Sequence, residues 1–144
     1  MIEIHSITDV DLPRLAILLE QLSEEKSDPV KMIESYRRIA GDDGYILLGA
    51  FVDGALAGSL MGIVCHDLVG ECRPFMVIEN VIVAEECRGK GIGKTLIEAI
   101  EKEGRKRNCS YTMFVSGIKR IGAHAFYESA GYAPDMVRGF KKYL

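Results

Sequence analysis

The fold turns on Phe75-Met76-Val77-Ile78-Glu79-Asn80-Val81-Ile82-Val83 and on the glycine-rich segment shortly after it, Arg88-Gly89-Lys90-Gly91-Ile92-Gly93-Lys94. The first stretch is apolar at both parities. Phe75, Val77, Val81 and Val83 alternate onto one face, and Met76, Ile78 and Ile82 onto the other. A strand of this kind belongs in the middle of a sheet, covered on both sides. Glu79 and Asn80 interrupt it. The second segment opens a helix whose apolar stripe is Ile92, Leu96, Ile97 and Ile100. A helix N-terminus presents unpaired backbone amides and partial positive charge. Glycines before it let a phosphate approach the main chain closely. With Arg88, Lys90 and Lys94 at hand, the turn reads as a cradle for a diphosphate.

Two familiar phosphate loops fail on spacing. Counting back from Gly93-Lys94-Thr95, a Walker A loop needs glycine where Arg88 stands. Gly89, Gly91 and Gly93 follow G-x-G-x-G, not the dinucleotide pattern G-x-G-x-x-G. A nucleotide-binding protein using Gly89 to Thr95 is thereby disfavoured.

Upstream, Tyr45 to Val52 and Ala55 to Cys65 read as a hairpin around Asp53-Gly54, a two-residue turn signal. His66 to Pro74 is a polar loop. Ile2 to Ser6 reads as a short strand. Asp11 stands as an N-cap before a helix with Leu12, Leu15, Leu18, Leu19 and Leu22 on one face, ending near Glu24. Ser27-Asp28-Pro29 starts a second helix, striped by Met32, Ile33, Tyr36 and Ile39 and stopped by Gly41-Asp42-Asp43-Gly44. Downstream, Cys109 to Ser116 reads as a strand, Ile121 to Ala130 as a short helix closed by Gly131, and the span from Met136 to Tyr143 as a final strand. The order is mixed α/β, expected as one domain over residues 1–144.

Composition excludes several classes. The chain has 144 residues, 48% hydrophobic and 27% charged, with net charge -3. That is ordinary globular composition, with no basic excess to suggest nucleic acid. No apolar run reaches the ~18 residues of a membrane span, and the start lacks the basic-then-apolar pattern of an export signal. The expected setting is cytoplasmic. Cys65, Cys72, Cys87 and Cys109 show no C-x-x-C or zinc spacing, so free thiols and no metal are expected. Charge is uneven: residues 1–44 hold ten acids against five bases, and residues 88–107 seven bases against three acids. Such asymmetry suits a site where an anionic and a cationic ligand meet, and equally two solvated helix faces.

Arg88 to Gly93 resembles the [Q/R]-x-x-G-x-[G/A] signature of the GNAT (GCN5-related) N-acetyltransferases. The strand before it and Ala123-x-x-Phe126-Tyr127-x-x-x-Gly131-Tyr132 resemble that family's other blocks, in the same order. The resemblance implies the acyl-coenzyme A N-acyltransferase fold. That fold is a mixed, mostly antiparallel sheet flanked by about four helices and splayed between its fourth and fifth strands. It implies transfer of an acetyl group from acetyl-coenzyme A to a primary amine of a small molecule or peptide, by direct attack in a ternary complex without a metal. The amides of Gly89, Lys90, Gly91, Ile92, Gly93 and Lys94 would hold the pyrophosphate, with charge from Arg88 and Lys90. The backbone of Val81, Ile82 and Val83 would pair with the pantetheine arm like an added strand.

The chemistry needs two proton transfers. A lysine-like amine, with pKa about 10.4, is mostly protonated at neutral pH. A base must take that proton, and an acid must protonate the departing thiolate. Glu79, a carboxylate in an apolar strand, is the candidate base, weighed equally against a structural carboxylate. Tyr127 matches the family's candidate acid. His124, on the same helix face as Tyr127, is a weaker relay candidate. Many relatives carry asparagine where this chain has Arg120, which either reaches a phosphate of the cofactor instead or leaves that contact absent. The first two helices, with Glu20, Glu24, Glu25, Asp28 and Tyr36, would shape the acceptor pocket and favour a cationic amine. The resemblance also allows a homodimer. A non-catalytic acyl-coenzyme A sensor on the same fold is the alternative; it would need neither Glu79 nor Tyr127.

Overall fold

The computed structural model describes residues 1–144, which divide into two compact units, Met1–Met113 and Phe114–Leu144. In the first, β1 (Ile2–Ser6) is followed by α1 (Leu12–Ser23), α2 (Pro29–Ala40), β2 (Tyr45–Val52), β3 (Ala55–Cys65), β4 (Phe75–Val83), α3 (Ile92–Lys106) and β5 (Thr112–Met113). The five strands form one sheet in sequence order, antiparallel except for the parallel β4–β5 pair. Most boundaries are those expected from the sequence. Asp53 and Gly54 turn the β2–β3 hairpin with φ of 50° and 79°, the left-handed pair such a tight turn requires.

The helices cover opposite faces of the sheet. Leu12, Leu15 and Leu18 of α1 join Ile7, Phe51, Leu56 and Ile82 in one core cluster, with Met32 and Tyr36 of α2 packed against it. On the other face α3 buries Ile92, Leu96, Ile97 and Ile100. It lies so close that a Cβ on Gly62 would sit 2.7 Å from the Ile100 side chain and 3.1 Å from Met76 Sδ. Asp28 caps α2 as expected, its carboxylate accepting from the Val30 and Lys31 amides at 3.1 Å. Asp11 stands at the N-cap of α1, as expected, but its side chain makes no capping bond there. Its carboxylate instead accepts from the amide and hydroxyl of Thr8, at 2.8 and 3.0 Å, because Thr8 opens a 3-10 turn at Asp9–Asp11 before the helix begins.

Three expectations are corrected. The strand expected over Cys109 to Ser116 is only Thr112–Met113, pairing with Met76 and Val77. Ile78 to Val83 therefore have no strand partner on that edge. The final strand between Met136 and Tyr143 does not form. Met136, Val137, Phe140 and Tyr143 are 73–89% exposed, and no sheet edge pairs with the segment. A strand needs a ladder and a buried face, and alternation alone supplies neither. The grouping of β4 side chains also changes. Ile82 faces the α1 cluster, whereas Met76 faces α3 beside Gly62 and Gly104.

The second unit contains α4 (Ile121–Ser129). Gly131, at φ 92°, follows its C-cap Ala130, and the Tyr132 amide donates back to the Tyr127 carbonyl at 3.1 Å. This is a left-handed helix stop of the expected kind.

Candidate functional site

The reason Ile82 changes face is a β-bulge. Along β3 and β4 the register runs Cys65↔Phe75, Ile63↔Val77 and Met61↔Glu79, then resumes at Ser59↔Ile82. Two β4 residues, Asn80 and Val81, stand where β3 contributes only Leu60. Asn80 adopts φ 56°, a left-handed conformation that asparagine tolerates better than most side chains. A bulge inverts the parity of everything beyond it. Glu79 before it and Ile82 after it consequently share the α1 face.

The bulge also decides which backbone groups are available. The Ala84 amide donates to Ala57 on β3 at 2.8 Å. By the two-residue period of an antiparallel ladder, Ile82 turns its groups to β3, and Val83 turns its own to the opposite edge. The Val83 carbonyl there accepts from Arg88 Nε at 3.2 Å. Val81, in the bulge, lies on the same unpaired stretch. The Ile82 side chain is buried and its main-chain groups face β3, which leaves Val81 and Val83 to serve a ligand on the open edge. Glu79 is half-buried, and its carboxylate has no hydrogen-bond or ion-pair partner in the chain.

After β4, a 3-10 turn at Glu85–Cys87 leads into the glycine segment. Gly89 and Gly91 take φ 77° and 80°, and a Cβ on either would meet nothing within 4 Å. The concavity is thus open. The amides of Gly89, Lys90, Gly91, Ile92, Gly93 and Lys94 find no acceptor in the chain; the first amide bonded in α3 is that of Thr95, to Gly91. Consecutive free donors at a helix N-terminus, framed by left-handed glycines, are the geometry that holds phosphate oxygens. The residues present fit a diphosphate-bearing cofactor. Lys90 Nζ reaches the Glu86 carbonyl at 3.5 Å, and Lys94 sits 3.8 Å from Glu98. Arg14, which the sequence reading missed, ties α1 to this region: it donates to the Leu56 carbonyl at 3.2 Å and to Glu86 at 2.6 Å. The Glu86 carboxyl is held below the usual carboxylate range by a backbone hydrogen bond and then by Arg14.

In the second unit Tyr127 is 6% exposed. Its ring tilts against Phe114 at 4.3 Å between centroids and against Phe126 at 5.5 Å. Burial pushes its hydroxyl above the ordinary tyrosine value, while the nearby Arg120 guanidinium opposes that rise by charge and hydrogen bond. Arg120 is therefore beside the candidate acid. His124 Nε2 lies 2.9 Å from the Gly117 carbonyl, an anchor for the loop before α4.

The expected acidic acceptor cluster is largely engaged elsewhere. Glu20 accepts from the Ser27 amide at 2.9 Å, Asp28 caps α2, and the Tyr36 hydroxyl donates to the Ile7 carbonyl at 3.2 Å. Only Glu24 and Glu25 remain exposed without such a bond from their carboxylates. A cavity of 780 Å³ lined by Ile4 to Thr8, Tyr36, Lys102, Lys106 and Arg107 adjoins the C-terminal end of α3. The glycine turn is at the opposite end of that helix, so the cavity is not the cradle.

Residues 13–132 match the model of the acetyltransferase (GNAT) family. An aminoglycoside N(6')-acetyltransferase type 1 of Stenotrophomonas maltophilia is 26% identical over 131 residues, 90% of this chain and 84% of that protein. Among solved structures, a putative acetyltransferase from Agrobacterium tumefaciens str. C58 superposes with TM-score 0.91, at 24% identity over 99% of each chain. The structure of AAC(6')-Iy in complex with the bisubstrate analogue CoA-S-monomethyl-acetylneamine superposes with TM-score 0.83, at 20% identity, covering 100% of this chain and 99% of that one. At these identities the structural likenesses speak for the fold.

Proposed function

The chain belongs to the acetyltransferase (GNAT) family, and we propose that it moves the acetyl group of acetyl-coenzyme A directly to a primary amine of a small molecule or peptide, within a ternary complex. What supports this reading above all is the run of acceptor-free amides from Gly89 to Lys94 behind an open, left-handed glycine turn.

When bound, acetyl-coenzyme A supplies an activated thioester. The amides from Gly89 to Lys94 hold its pyrophosphate, and Arg88 and Lys90 add positive charge. The main chain of Val81 and Val83, on the edge that β5 leaves unpaired, holds the pantetheine arm as an added strand, while the groups of Ile82 stay with β3. The Val81 amide donates to the oxygen on which negative charge develops. Glu79, unpartnered in the chain, takes the proton that the acceptor ammonium must lose. The Tyr127 hydroxyl, kept protonated by its burial, gives a proton to the departing sulfur. Arg120 lies beside Tyr127 and hydrogen-bonds it, so its role is at that hydroxyl and not at a cofactor phosphate.

The acceptor is an amine, and a cationic one suits Glu79, Glu24 and Glu25. The aminoglycoside acetyltransferase among the relatives fits this class. The test is calorimetry with acetyl-coenzyme A, followed by thiol release on a panel of amines. Saturable binding and amine-dependent release are expected. Binding without release from any amine would favour the non-catalytic sensor, and no binding at millimolar ligand would remove both readings.

A further inference from the structure

The α1 face of the sheet is covered unevenly. Leu12, Leu15 and Leu18 close over Ile82 at the C-terminal half of β4. Toward the N-terminal half the same face stays accessible. There, by register, Phe75, Val77 and Glu79 point to one side, with Ile63 and Met61 beside them on β3 and Met113 beside Val77 on β5. Tyr111 is 49% exposed and Met113 37%. The Phe75 and Tyr111 rings stack at 5.2 Å with 13° between their planes. The result is an apolar strip with a single carboxylate at one end and a stacked aromatic pair at the other.

The spacing along the strip is set by the strand. At ~3.3 Å per residue, Phe75 lies about 13 Å from Glu79, with Val77 midway. A free carboxylate calls for a cation, and a stacked ring pair whose Tyr111 is half exposed calls for a further flat ring to extend the stack. Linear polyamines would place a second charge on the apolar part and lose that contact.

We propose that Phe75 and Tyr111 form the acceptor-specificity shelf of this enzyme, selecting a primary amine whose nitrogen is separated by roughly 13 Å from a flat ring that stacks on the pair. The inference rests on the proposed acetyltransferase reading of Glu79 and narrows its substrate class. The amine sits over Glu79, the tether crosses Val77 and Met113, and the ring stacks on Tyr111, which Phe75 backs.

The experiment measures thiol release with phenylalkylamines of increasing chain length and with spermidine. The expected result is a kcat/KM that climbs about tenfold once the tether spans the strip, carried by KM, with spermidine a poor acceptor; one tenfold step corresponds to about 1.4 kcal/mol. Tyr111→Ala should flatten this length dependence while the KM for acetyl-coenzyme A holds within about twofold, and Tyr111→Phe should restore it. Because Tyr111 is half exposed, neither variant threatens the core. Transfer that ignores chain length, or a length preference untouched in Tyr111→Ala, overturns the shelf and leaves the acetyltransferase reading standing. Bound acetyl-coenzyme A with no transfer to any amine overturns both.

Discussion

The glycine turn at residues 88–94 and the bulge at Asn80 both bend the chain through left-handed backbone, yet they are encoded in opposite ways. The turn uses Gly89 and Gly91, at φ 77° and 80°, where no Cβ would meet anything. Its conformation follows from residue type and needs little from its surroundings. The bulge places a non-glycine residue, Asn80, at φ 56° inside a strand. Such a conformation costs on the order of 1–2 kcal/mol and persists only because the flanking ladder enforces it. The turn is thus a local device that offers amides, and the bulge a tertiary one that aims side chains. Strain of that kind clusters at functional positions, which is consistent with Glu79 standing immediately before it.

The sharpest break in this contrast is Glu79→Gln. If the bulge serves to present a base, this change should lower kcat by roughly 10²–10⁴-fold and leave acetyl-coenzyme A affinity within about twofold, by steady-state kinetics and calorimetry. An unchanged rate would return Glu79 to a structural role. Next in size is Gly91→Val. A β-branched residue at that φ costs on the order of 1–2 kcal/mol and disturbs the free amides, so the cofactor Kd should rise at least about tenfold. Full affinity in that variant would mean the turn is not the cradle.

Tyr127→Phe should slow turnover about tenfold or more by removing a positioned acid, with cofactor affinity nearly constant. The same residue carries a pH signature. Its folded-state value is raised by burial, so the unfolded chain releases this proton first. Its contribution to stability is complete below pH ~10, the ordinary tyrosine value, and is lost as pH rises through the folded-state value. Urea midpoints compared at neutral and strongly alkaline pH should show a loss in the parent that is smaller in Tyr127→Phe. The smallest effect is Asn80→Gly. Relief of strain and greater freedom in the unfolded chain oppose each other, so stability should shift by no more than about 1 kcal/mol. The parity of the strand should survive, and a large fall in kcat would show that the asparagine side chain itself matters.

Much of the fold was legible because its signals are local. The β2–β3 hairpin, the Asp28 cap and the stripe of α3 each follow from a few adjacent residues, and the structure places them as read. The turn was legible for the same reason. Where pairing decides, the reading failed. The Met136 to Tyr143 segment has strand-like composition but joins no ladder, and the Cys109 to Ser116 strand shortens to Thr112–Met113. The assignment of Ile82 to the face of Met76 failed because an extra residue in a ladder has no signature in the strand that carries it; Asn80 between Glu79 and Val81 was the only hint.

The sequence alone determined the order of elements, the glycine turn and the residue types available for proton transfer. It could do so because φ preference, capping and helical periodicity act over a few residues. Only the tertiary structure decided that Glu79 shares its face with the Phe75–Tyr111 stack, that Val81 and Val83 lie on an unpaired edge, and that Glu20, Asp28 and Tyr36 are engaged in local bonds. These depend on strand register and burial, which arise between segments distant in the chain and are written in no single one of them.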